Sequence, residues 1–309
     1  MNALASWQSA PFISARAGVL ALALLLSAAF GSYRAEAAAT SCSVTSSGVA
    51  FSPYDTISKA AVDGLGTVSV TCTGKGTDTL SLNLVGGNSG SCSSRQMKNG
   101  SAALGYQIYQ NSSRTTAWCD GANRLEIAFD FSLGESQTKD FTMYGRVGSG
   151  QNPSYGSYFD TLTLILKKGG GTLATSTAAI SGSVAGTCSL SASTLGFGDY
   201  NPSASLDGSA VITVNCSSGS AYSVSLDGGQ NLSGGSRRLA GPGGSFLNYQ
   251  LFKDAARASA WGDGTGLGAK LDGTGNGSNQ SLPVYGRIPG NQNVRAGSYS
   301  DVVQVTVEY

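Results

Sequence analysis

The chain repeats itself. The segment that starts at Cys42, CSVTSSGVAFSPYDTISKAAVDGLGTVSVTC, returns from Cys188 as CSLSASTLGFGDYNPSASLDGSAVITVNC. Paired landmarks extend the match: Tyr106-Gln107-Ile108-Tyr109 against Tyr249-Gln250-Leu251-Phe252, Trp118 against Trp261, Tyr144-Gly145-Arg146 against Tyr285-Gly286-Arg287, and Gly156-Ser157-Tyr158 against Gly297-Ser298-Tyr299. A period of roughly 141 to 146 residues is the size of a whole domain, far above that of a solenoid unit. The 309 residues are therefore expected to form two tandem domains, over 40–186 and 187–309.

Residues 1–39 read as a secretory signal peptide. Arg16 precedes the apolar run GVLALALLLSAAF from Gly18 to Phe30, which is too short to span a bilayer, and Ala35-Glu36-Ala37-Ala38-Ala39 supplies an Ala-x-Ala cleavage site. All six cysteines follow it, in an even number, as expected of an oxidising compartment. Cys42 and Cys72 recur as Cys188 and Cys216, each pair bracketing two predicted strands and suited to a bridge between them. Cys92 and Cys119 occur only in the first copy and make a third pair.

Short runs alternate apolar and polar residues between Gly, Ser, Asn and Asp: Thr67 to Thr71, Leu80 to Leu84, Leu125 to Phe129, Val302 to Val307. Period two means half-buried strands, and nothing past the leader sustains a helical period. The expected fold class is all-β, two immunoglobulin-like sandwiches in tandem, the second lacking its final strand. That last point comes from comparing the ends of the copies. After Thr161 to Leu166 the first copy turns through Lys167-Lys168-Gly169-Gly170-Gly171 and continues as β-compatible sequence over 172–184, which would complete its own domain. The second copy reaches Tyr299, Val303, Val305, Val307 and Tyr309 and has no counterpart of that segment. An apolar face beside an unpaired strand calls for a strand from elsewhere, that is, β-strand addition. The lead-in to Cys42 after cleavage is expected to be only a few residues, too short to serve as such a strand for another molecule.

Both halves resemble the spore coat protein U domain family. The resemblance rests on Cys-x~30-Cys, the Arg-x-hydrophobic plus Tyr-x-hydrophobic-aromatic hairpin, Trp261-Gly262-Asp263-Gly264, Tyr-Gly-Arg, and Gly-x-Tyr-x-Asp followed by alternating valines. The first copy departs at Trp118-Cys119-Asp120-Gly121, where Cys replaces Gly. This family includes subunits of archaic chaperone-usher pili, so the resemblance implies a tip adhesin that mediates surface attachment and biofilm formation. It also implies a periplasmic pilus chaperone, an outer-membrane usher and an adjacent pilin that donates a strand, with export through the periplasm to the cell surface. The groove residues would be Val303, Val305, Val307 and Tyr309. The alternative is a secreted coat or matrix protein of the same family that binds no receptor.

If the second domain joins a fibre, the first domain's loops are the candidate adhesive surface for an unknown receptor. Three segments stand out, 86–100, 110–123 and 147–156, and within them Met97, Asn99, Trp118, Asn152, Pro153 and Tyr155. Enzyme function is not expected. The chain has no histidine, so neither Ser-His-Asp nor Cys-His chemistry is available. No metal or cofactor is expected, and with a net charge of +1 and no basic stripe, nor is nucleic acid.

Overall fold

Alternation along the chain becomes strand after strand. The computed structural model describes residues 39–131 and 134–309, so the expected signal peptide lies, Ala39 apart, outside the described residues. The described chain is all-β, in two curled sheet domains with separate cores.

In the first domain one layer runs Ala39–Ser46, Val62–Gly74, Ser136–Val147, Ala102–Tyr109. Gln96–Asn99 turns the corner, pairing with Ala102–Tyr109 on one side and with Gly156–Lys168 on the other. The second layer continues through Gly171–Val184 to the short strand Val49–Ala50, and Gly76–Gly86 joins Gly156–Lys168 to Leu125–Phe131. Even-numbered residues of Val62–Gly74 from Gly64 onward point inward, as period two requires.

The second domain repeats the plan. Its first layer is Cys188–Ala192, Leu206–Cys216, Gln280–Ile288, Phe246–Phe252, Arg237–Ala240, and its second is Leu271–Thr274, Ala221–Leu226, Val305–Glu308. Cys42 lies directly opposite Cys72 and Cys188 opposite Cys216, so each bridge ties neighbouring strands across one rung of the ladder.

The repeated motifs are repeated packing solutions. Trp118 is fully buried and its Nε1 donates to Leu82 O at 3.0 Å, while Trp261 does the same to Val224 O. The Tyr-Gly-Arg motif is a glycine that makes room for a ring. A Cβ on Gly145 would stand 2.7 Å from Phe51, and one on Gly286 the same distance from Phe197. The arginine that follows clamps an aspartate with two hydrogen bonds, Arg146 to Asp63 at 2.7 and 2.9 Å and Arg287 to Asp207 likewise. A second arginine, Arg114 or Arg257, approaches the same carboxylate from a turn position with positive φ. The hydrogen bond from the clamping arginine holds each aspartate below the usual carboxylate range, assisted by the charge of the second arginine.

Ile180, 1 % exposed on Gly171–Val184, should cost about 2–5 kcal/mol as Ile180→Ala, read as a lowered denaturation midpoint of the first domain. The stabilisation from a depressed aspartate is present at neutral pH and is lost as pH falls through its folded value. Asp63→Asn combined with Asp207→Asn should therefore lower stability at pH 7, and the gap to wild type should close in acid when both are followed by thermal melting.

Candidate functional site

The feature that separates the copies is what covers the final edge. In the first domain Gly156–Lys168 is paired on both sides, by Gly76–Gly86 and, over its whole length, by Gly171–Val184 in antiparallel register from Gly171 against Lys168 to Val184 against Gly156. Gly171–Val184 also takes Val49–Ala50 as a parallel neighbour. It carries Ala178, Ile180 and Val184 into the core, and beneath it Leu162, Leu164 and Leu166 are each fully buried.

In the second domain the equivalent strand is paired on one side only. Val305–Glu308 pairs with Ala221–Leu226, Val224 opposite Val307 as Leu82 is opposite Leu166, and no described residue takes the place of Gly171–Val184 on its other side. Val303, Val305 and Val307, which replace the buried leucines, are half-exposed. Leu195 and Phe197 are half-exposed too, where their counterparts Val49 and Phe51 are 2 % and 7 % exposed. Between these two margins opens a groove of about 350 Å3, with Ile212, Leu251 and Val284 in its walls.

A buried polar cluster holds the groove's shape. Arg237 is 2 % exposed and donates to the carbonyls of Asp227, Leu226 and Trp261 at 2.7 to 3.1 Å. Burial pulls its pKa down, whereas the Tyr249 phenol is pushed up, first by burial and then by its hydrogen bond to Asp301 Oδ2 at 2.8 Å. Arg95, Tyr106 and Asp160 form the matching cluster in the first domain, with Tyr106 donating at 2.7 Å to Asp160 beneath Gly171–Val184. Asp301 instead lines the open groove.

Of the sequence-derived groove residues, Val303 and Val305 line the cavity and Val307 packs on the second core just beyond it. Tyr309 does not join them and stands 62 % exposed past the last rung. The regular strand there is Val305–Glu308, shorter than the expected run from Val302: Val302 to Gln304 form no ladder pair, and the nearest earlier pairing is the isolated bridge of Ser300 with Ala240.

The loop assignments change more. Met97 is fully buried in Gln96–Asn99, its thioether packed against the Gly182 position, and Trp118 is core. Asn99 is exposed at a hairpin turn. Asn152, Pro153 and Tyr155 lie at the join between the two domains, not at the outer end. Tyr155 N donates to Ser218 O at 2.9 Å, the Asn152 amide lies over Gly277, and Pro153 is buried. Thr56 and Ser217 share a buried hydrogen bond at the same join, and Thr187 Oγ1 donates to Asp55. The end of the first domain remote from this join is made of the turns around 75, 134–135 and 169–170, about 40 Å away by strand rise. Cys92 and Cys119 are bonded, tying the turn at Cys92–Ser94 to the segment after Trp118. Among the described residues no cluster of Cys, Asp and Glu is placed to hold a metal ion.

The family described as Spore Coat Protein U domain matches residues 28–164 and again 174–306. Protein U of Myxococcus xanthus is 32% identical over 148 residues, which cover 41% of this chain and 79% of that protein. Among solved structures, the CsuC-CsuE chaperone–tip adhesion subunit pre-assembly complex from archaic chaperone-usher Csu pili of Acinetobacter baumannii matches with TM-score 0.49 and 18% identity, over 87% of this chain and 100% of that one. The CupB6 tip adhesin from Pseudomonas aeruginosa matches with TM-score 0.36 and 12% identity, over 86% of this chain and 93% of that one.

The half-covered edge has a direct readout. In hydrogen exchange followed by mass spectrometry, peptides over 299–309 should exchange at least about tenfold faster than peptides over 158–168, since one partner strand is absent. Equal protection would mean that the edge is covered.

Proposed function

The chain belongs to the spore coat protein U domain family, and from that footing we propose that it is the tip subunit, the adhesin, of a chaperone-usher fibre. It is exported through the periplasm, joins the fibre by accepting a strand into its second domain, and serves surface attachment and biofilm formation. The observation that carries this reading is the contrast between the two grooves, one filled from within the chain by Gly171–Val184 and the other open beside Val303 and Val305.

A subunit inside a fibre passes its load on through strand exchange at both ends. Here the first domain's groove is occupied over its full length, so no neighbour can enter it, and Ala39–Ser46 is itself paired to Val62–Gly74. Among the described residues the open groove of the second domain is then the point of attachment, with the first domain pointing away from the shaft. The apolar side chains that an incoming strand would cover contribute about 1.5–3 kcal/mol each when fully buried. A few of them rival the net stability of a domain, which supports the need for a periplasmic chaperone to lend a strand before an adjacent pilin donates its own. An outer-membrane usher would catalyse that exchange. The domain limits 40–186 and 187–309 belong to this reading, as does a signal peptide over 1–39.

The test is a photo-crosslinking residue at Val303 in cells that make the protein. The expected products are an adduct with a chaperone in the periplasm and one with a second subunit at the surface, whereas the same residue at Ala178 should give only intramolecular links. A Val303 probe that captures no other chain would end the strand-acceptor reading. An antibody to the first domain that decorated fibres along their length, or a matrix without fibres, would favour a coat protein over a tip.

A further inference from the structure

The two domains share one plan, so a surface that only one of them carries, and that the plan does not require, is a place to look for binding. Such a surface surrounds Tyr109. On the outward face of the first domain Leu65 lies directly opposite Tyr144, and Tyr144 opposite Tyr109, a cross-strand row in which Leu65 is 62 % exposed. Beside the row are two cavities of about 370 and 570 Å3 that share Ser93, Gln107 and Tyr109 as walls.

The outer wall is fixed, not free. The Cys92–Cys119 bridge holds it, and Gln107 Nε2 donates to Cys92 O at 2.7 Å. Gln107 Oε1 accepts from Arg95 and from the amide of Ile108, so this side chain is spent on structure. Three groups on the larger cavity are not spent. The Tyr109 hydroxyl, the Asp120 carboxylate and the Asn123 side-chain amide make no hydrogen bond among the described residues. Asp120 and Asn123 are exposed and Tyr109 is half-exposed.

The second copy shows what the fold alone asks of these positions. Phe252 replaces Tyr109, lacks the hydroxyl and is only 8 % exposed. Gly262 replaces Cys119, so there is no bridge. Asp263, in the place of Asp120, accepts from Thr265 N at 3.0 Å and from its hydroxyl at 2.5 Å, and is thereby committed to its own turn. Nothing in the shared architecture requires a carboxylate and an amide without hydrogen bonds and a half-exposed phenol to face one cavity.

We propose that this furrow binds a neutral oligosaccharide. A pyranose ring presents an apolar C–H face bounded by hydroxyls. The face suits the flat ring of Tyr109, and vicinal hydroxyls can donate to the Asp120 carboxylate in charge-assisted hydrogen bonds while Asn123 supplies a donor and an acceptor. The Asp120 carboxylate, on the wall of the cavity, disfavours anionic sugars there by repulsion. The cavity volume falls in the range of small-ligand sites, and a bridged wall lowers the ordering cost of binding. The site lies wholly on the first domain and needs no strand acceptor, so it stands apart from the assembly role.

The experiment uses the purified secreted two-domain chain on an array of neutral and acidic oligosaccharides, followed by calorimetric titration of the best neutral one. Binding to a subset of neutral glycans is expected, with at least a tenfold loss of affinity in Tyr109→Ala and in Asp120→Asn, and no change in Asp263→Asn. Asp120 is exposed and its carboxylate makes no hydrogen bond, so Asp120→Asn should fold, losing only its charge near Arg95, and decides the matter even if Tyr109→Ala unfolds. Absence of neutral-glycan binding, preference for acidic glycans, or full affinity in Asp120→Asn would overturn the proposal.

Discussion

An open sheet edge beside an apolar face has to be covered, and the rest of this molecule depends on how each domain meets that requirement. In the first domain the cover is Gly171–Val184, which supplies backbone partners along the whole of Gly156–Lys168 and adds Ala178, Ile180 and Val184 to the core that Leu162, Leu164 and Leu166 share. In the second the same edge stands uncovered among the described residues, and every apolar side chain along it is correspondingly more exposed. The two copies thus act as an internal control: similar sequence, similar register, and one strand of difference.

Other edges are defended by side chains. At the outer edge strand Leu125–Phe131, Lys139 donates to Ala128 O and Gln137 to Asp130 O, occupying acceptors that a foreign strand would need. In the second domain Gln280 Nε2 reaches Thr274 O and Lys253 reaches Lys270 O, the same protection on the equivalent strand. Among the described residues no such group guards the far side of Val305–Glu308. With those two edges blunted and this one bare, Val305–Glu308 is the edge suited to pairing.

Much of the fold is legible in the sequence, because β-structure writes its period into the chain. The alternation at Leu80 to Leu84, the paired cysteines and the Tyr-Gly-Arg repeats each reported a local necessity: a half-buried strand, a cross-strand bridge, a glycine under an aromatic ring. Segments rich in Gly, Asn and Ser read as loops from end to end, and that reading fails at single residues. Met97 and Trp118 sit within such segments, yet each is a single large residue drawn into the core, Trp118 by burial and by its hydrogen bond to Leu82 O. Pro153 and Tyr155 looked like an outer loop because a count of strands does not say which end of a barrel-like sheet a loop serves once a corner strand such as Gln96–Asn99 intervenes. Register does, and it puts Tyr155 against Ser218 and the neighbouring Asn152 over Gly277 of the second domain.

The duplication and the all-β class can be read from the residues alone, since these are properties of periodicity and of which residues are present. Only the tertiary structure decided that the half-exposed valines and Leu195 with Phe197 face each other across one groove, that Tyr309 stands outside it, and that Tyr109, Asp120 and Asn123 meet on a single cavity. Those facts depend on residues far apart in the chain converging in space, on strand register and on how far each sheet curls, and no local pattern encodes them.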